Sequence, residues 1–99
     1  MEKIIELKFD KMVVDLTGNK FGRNIYNNQI EPYIDVEQRM IVIIPECIND
    51  VGSSFIQGIY YAISERYGKS KALEILQLKS SKTEIMEKIR KSLETYGIW

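Results

Sequence analysis

Ninety-nine residues suffice for one domain with a real core but not for two. Apolar residues make up 44% of the chain and charged residues 28%, the make-up of an ordinary globular domain, and 14 basic side chains balance 14 acidic ones, which argues against a nucleic-acid binder. The chain has no His and a single Cys, Cys47, so the usual zinc ligands, an intrachain disulfide and the Ser-His and Cys-His catalytic pairs are all excluded.

The first residues alternate charge with apolar side chains rather than forming a leader, and no apolar run approaches the ~20 residues that cross a bilayer, so the expectation is a cytoplasmic protein without membrane contact. Ile4-Ile5-Glu6-Leu7-Lys8-Phe9 alternates as a strand does, and Met12-Val13-Val14-Asp15-Leu16 is a second β-rich run. Asp10-Lys11 between them suggests a tight connection and a hairpin. Thr17-Gly18-Asn19 breaks the pattern. Phe21, Ile25, Tyr26 and Ile30 then recur at helical spacing, which predicts a helix over 20–29, limited by Pro32.

Met40-Ile41-Val42-Ile43-Ile44 is the most apolar stretch, and five such residues without alternation predict a strand covered on both faces. Pro45 ends it and 46–52 read as a loop. Phe55, Ile56, Ile59, Tyr60, Ile63 and Tyr67 make a helical stripe that stops at Gly68. A short strand is predicted within 72–78, centred on 74–78. Ser81-Lys82-Thr83-Glu84 has the pattern of a capping box, with Ile85, Met86, Ile89, Leu93 and Tyr96 on the buried face of a last helix. The order β-β-α-β-α-β-α predicts a single α/β domain over 1–99, a small sandwich of about four strands and three helices. Its sheet is mixed, with a largely parallel centre and an antiparallel edge if the first two strands pair.

The junction Gly52-Ser53-Ser54-Phe55-Ile56-Gln57 is the most informative segment. One reading is helix capping, with Ser54 as N-cap, Gln57 at the third helical position and Gly52 giving freedom to turn. In the other, one serine caps while its neighbour is free to be phosphorylated, placing close to two negative charges against a helix N-terminus.

An apolar strand, a loop of about eight residues, a Ser-Ser pair and an amphipathic helix together resemble the core of the STAS domains, the sulfate-transporter and anti-sigma-factor-antagonist modules. The likeness is closer to the small STAS-like domains of bacteria, in which a Gly-x-x-x-Gly-Arg-type segment precedes the strand, here Gly18-Asn19-Lys20-Phe21-Gly22-Arg23. It covers roughly residues 12–95. The resemblance implies a non-catalytic interaction module of bacterial signalling whose partner is a regulatory ATPase of the histidine-kinase-like type. It also implies that the phosphorylated hydroxyl is Ser53. In the antagonists the segment reads Asp-Ser-Ser-Gly or Asp-Ser/Thr-Ser-Gly. Here the acid is replaced by Gly52 and the glycine by Phe55. Partner contacts are expected from Gly52, Ser53, Ser54, Gln57 and the helix that follows them.

Other residues carry weaker alternatives. Gly18, Gly22 and Arg23 could cradle an anion at a helix start, or form a tight strand-to-helix turn with a solvated Arg; the segment is not a P-loop. Tyr61 faces away from Ile59 and Ile63 and is the tyrosine expected at a contact, whereas most of the six tyrosines should be half-buried. Cys47 reads as a buried or partly buried inert thiol. Ile98-Trp99 either folds back onto the core or stays free as an apolar tip. No cofactor or metal is expected. Rivals to the signalling module are a domain that binds a small anionic ligand and a self-assembling protein that pairs its edge strand, 4–9, with a second copy. The chain is expected as a monomer or a homodimer.

Overall fold

The computed structural model describes residues 2–95. Tyr96 and Ile98-Trp99, named above, lie outside that range. Among the described residues the chain orders as β1 (Glu2–Glu6), β2 (Asp15–Leu16), α1 (Asn19–Ile25), β3 (Arg39–Ile43), β4 (Asp50–Val51), α2 (Ser53–Tyr67), α3 (Lys69–Ile75), β5 (Leu76–Lys79) and α4 (Thr83–Thr95). The α/β class and the largely parallel centre are as expected. The strands form a three-stranded sheet in the order β1-β3-β5 and a two-stranded sheet of β2 with β4, and every pairing is parallel.

The expected hairpin does not form. The N–H of Val13 donates to the Asp10 carbonyl at 3.0 Å and that of Met12 to the Asp10 carboxylate at 3.1 Å, a local turn that redirects the chain without folding it back. A tight hairpin needs residues at positive φ, and among the described residues only Gly18 and Gly68 adopt it. Asp10-Lys11 supplies neither. The second run crosses to the loop after β3 instead. The Asn49 N–H donates to the Val14 carbonyl at 2.7 Å, and Leu16 pairs with Val51.

The helix expected over 20–29 opens one residue earlier and continues past its predicted end. A wider π-type segment, Tyr26–Ile30, follows α1, and a 3-10 turn, Glu31–Tyr33, carries Pro32 in its first turn, where a missing N–H costs least. A further helix, α3, occupies residues first assigned partly to a strand. Gly68, at φ 88°, separates it from α2, and Ala72 and Ile75 bury its inner side. The last strand begins only at Leu76. The capping box at Ser81 is also not formed. The hydroxyl of Ser80 accepts from the Lys82 N–H at 3.0 Å, and the helix opens at Thr83.

The register explains how the core is laid out. Ile5, Met40 and Val42, and Leu76 and Leu78 are aligned on one face of the sheet, where the helices cover them. The opposite face carries exposed Glu2, Ile4, Glu6, Arg39 and Lys79, so the burial predicted for the run 40–44 on both faces does not extend to its flanking strands. Ile41 is nevertheless 8% exposed, because β3 is flanked by a strand on each edge. Among the described residues no helix is long and apolar enough to cross a membrane.

Candidate functional site

The serine turn is held from three sides. Val51 pairs with Leu16, and the Gly52 N–H donates to the Leu16 carbonyl at 2.6 Å. The Gly52 carbonyl accepts the first helical bonds of α2, from Phe55 at 3.1 Å and Ile56 at 3.3 Å. Just before α4, the ammonium of Lys82 donates to the Ile48 carbonyl at 2.7 Å, and from α4 itself Lys88 pairs with Asp50 at 2.8 Å. The hydrogen bond from Lys88 holds the Asp50 carboxyl below its ordinary pKa. Gly52 itself has φ −76° and ψ 150°, a conformation open to any residue, so the expected turning freedom is not its role. What its position lacks is room. A Cβ there would lie 3.3 Å from the Thr17 methyl.

The two serines have different roles, and neither matches the predicted cap. The N-cap of α2 is Gly52, and no side chain caps the helix among the described residues. Ser54 turns outward from its own helix, and its hydroxyl accepts the N–H of Gly18 at 3.0 Å. It therefore satisfies a backbone donor at the start of α1, 36 residues away in sequence. Ser53, the first residue of α2, is exposed, and Gln57 one turn later is half-buried. Phe55 is fully buried and anchors the turn through an edge-to-face stack. Its ring centroid is 5.4 Å from that of Phe21, which in turn is 6.0 Å from that of Phe9.

The residues of the predicted anion cradle are brought together only in part. The Gly18 N–H is used by Ser54. Gly22 is buried against α2, where a Cβ would stand 2.3 Å from the Phe55 carbonyl oxygen and 3.2 Å from the Gly58 Cα. Arg23 points to the other side of α1 and pairs with Glu65 at 2.6 Å. It borders a cavity of about 480 Å³ with Tyr26, Glu31, Glu65 and Arg66. Arg66 pairs with Glu31 at 2.8 Å, and the Tyr26 hydroxyl also donates to Glu31. Burial first, and then the Glu31 carboxylate, push the Tyr26 phenol well above its ordinary pKa. Both arginines of this cavity thus already face carboxylates.

Tyr61 is half-buried, and Tyr33 is the more exposed tyrosine at 53%. Tyr60 is buried, donates to the Leu76 carbonyl at 3.2 Å, and has its phenol pKa raised by burial. Cys47 is exposed, contrary to the expectation of burial. A second cavity, about 540 Å³, lies between β5 and α4. Neither cavity includes a residue of the serine turn. Among the described residues no three Cys, Asp or Glu side chains converge on a point that would hold a metal ion.

Sequence reasoning missed the role of Gly22 and did not single out Gly58. The signal was available. A glycine inside a helix costs about 1 kcal/mol relative to alanine and calls for a packing reason. No family model, curated protein or solved structure matches this chain.

Proposed function

We propose that the chain is a non-catalytic protein-interaction module of bacterial signalling, related in kind to the anti-sigma-factor antagonists. In this reading the 52–57 turn and the exposed side of α2 dock a regulatory ATPase of the histidine-kinase-like type in the cytoplasm. The observation that carries it is the division between the serines: Ser54 is committed to the Gly18 N–H, and Ser53 stands exposed at the first position of α2.

The chemistry of a switch follows from that arrangement. A phosphate on Ser53 adds close to two negative charges where the helix dipole favours an anion, so it leaves the fold intact. It changes the potential met by any protein docked on the turn. The turn is clear of both cavities and pinned by β2, the start of α1 and α4, which suits recognition by a partner better than turnover of a substrate. Gly52 and Phe55 replace the acid and the glycine of the antagonist pattern. Phe55 is accounted for by its burial against Phe21.

The test is to incubate the chain with ATP and a purified regulatory ATPase of the histidine-kinase-like type, then locate any added phosphate by fragment mass spectrometry. Modification of Ser53 that disappears in Ser53→Ala supports the switch. An unmodified chain bound tightly by the ATPase leaves docking without a switch, and neither binding nor modification overturns the reading.

A second reading rests on β1. It is an edge strand with Ile4 62% exposed, the feature that strand pairing with a second copy uses. A concentration-dependent dimer abolished by Ile4→Lys would favour it.

A further inference from the structure

Every pairing in the three-stranded sheet is parallel, and parallel sheets ordinarily have both faces covered. On the face away from the helices only the central strand is shielded, with Ile41 8% exposed and Ile43 half-buried. Its neighbours are open. β1 presents exposed Glu2, Ile4 and Glu6 there, with Ile4 at 62%. β5 presents half-buried Gln77 and exposed Lys79. The flanking strands therefore lack the second layer that a parallel sheet carries.

Charge on this face is divided by strand. β1, at one edge, bears two carboxylates, and β5, at the other, bears the Lys79 ammonium. Glu6 and Lys79 both align with Ile43, so they stand at one level across the sheet. Two strand spacings of about 4.8 Å keep their backbones about 10 Å apart within one chain. Among the described residues neither takes part in an ion pair.

We infer that this face packs on the same face of a second copy, about a two-fold axis that runs along β3. Stacked sheets of this kind keep their strands aligned within about 30°. An axis along the strands sets β1 of each copy over β5 of the other, so each Glu6 meets the Lys79 of the second copy. Ile4 then lies against the aliphatic stem of the second copy's Gln77. An axis across the strands would instead set β1 over β1 and face carboxylate with carboxylate, which selects against it. Arg39 meets its own copy near one end of the chosen axis, and Glu2, 4.0 Å from it, offsets that charge. A face three strands wide is small beside a standard interface, so the dimer is weak and forms in the micromolar range. This contact differs from pairing of β1 edges, which leaves β5 and Lys79 outside the interface. It is independent of Ser53 and of any partner at the serine turn.

Sedimentation velocity of the full chain over a range of concentrations reads this directly. The inference predicts a monomer that passes to a discrete dimer as concentration rises through the micromolar range. Glu6→Lys and Lys79→Glu, both at exposed positions, should each weaken the dimer at least about tenfold while far-ultraviolet circular dichroism stays unchanged. An equimolar mixture of the two variants should restore association, because each supplies the charge the other lacks. If a reversed charge unfolds either chain, Glu6→Gln and Lys79→Gln serve the same comparison, each with a smaller loss. A chain that stays monomeric up to about 1 mM overturns the inference. So does a dimer indifferent to Lys79→Glu, which would assign self-association to the β1 edge. A dimer weakened by both reversals but not restored by mixing them overturns it as well.

Discussion

Gly22 on α1 and Gly58 on α2 meet backbone to backbone: a methyl group on Gly22 would lie 3.2 Å from the Gly58 Cα. One on Gly58 would lie 2.2 Å from the Asn19 carbonyl oxygen. This crossing fixes the distance between the start of α1 and the start of α2, and with it the reach of the Ser54 hydroxyl to the Gly18 N–H. Gly22→Ala and Gly58→Ala should each destabilise the fold by about 1–3 kcal/mol, because backbone atoms cannot move aside as a side chain can. Alanine's better helix propensity offsets only about 1 kcal/mol of that. Urea unfolding of the two single variants and the double variant tests this. The double variant should lose less than the sum of the singles, since one shifted helix relieves both clashes.

The two serines should separate cleanly in the same assay. Ser54→Ala removes the acceptor of a partly buried N–H and should cost about 1 kcal/mol. Ser53→Ala and Ser53→Asp, at an exposed position, should stay within about 0.5 kcal/mol of the unmodified chain. Equal losses at both positions would contradict the assignment of one structural and one exposed hydroxyl.

Phe55 anchors the start of α2 through its edge-to-face stack with Phe21. Phe55→Ala should cost about 3–5 kcal/mol, as expected for emptying a fully buried aromatic site. Phe21→Ala, at a half-buried position, should cost less. Thermal unfolding of both variants orders them.

Alkaline pH offers a test that depends on the buried tyrosines. Unfolded tyrosine ionises near pH ~10. In the folded chain burial raises the phenols of Tyr26 and Tyr60 above that value. Their contribution to stability is therefore fully present below pH ~10 and is lost as pH rises beyond it, when only the unfolded state releases the protons. Urea midpoints between neutral and strongly alkaline pH should fall steeply in the unmodified chain. The fall should be shallower in Tyr26→Phe and Tyr60→Phe.

The elements whose evidence is local were legible in the sequence. The β-branched run at 40–44, the stripe from Phe55 to Tyr67 and the stop at Gly68 all found their places, because periodicity and glycine chemistry act over a few residues. What was hidden depends on distant neighbours. The Val13–Leu16 run resembles half of a hairpin until the Asn49 N–H offers it another partner. Ala72 and Ile75 fit a strand as well as a short helix until Gly68 at positive φ starts α3. Ser54 looks like a cap because its actual partner, Gly18, is 36 residues earlier. Arg23 looks free for an anion because its carboxylate, Glu65, is 42 residues later.

Calorimetric titration of a regulatory ATPase of the histidine-kinase-like type with the unmodified chain, Ser53→Ala and Ser53→Asp decides whether Ser53 switches the docking surface we propose. Near-equal affinities for the unmodified chain and Ser53→Ala, and at least about tenfold weaker binding of Ser53→Asp, about 1.4 kcal/mol, are the predicted result. Equal affinities for all three chains would contradict it.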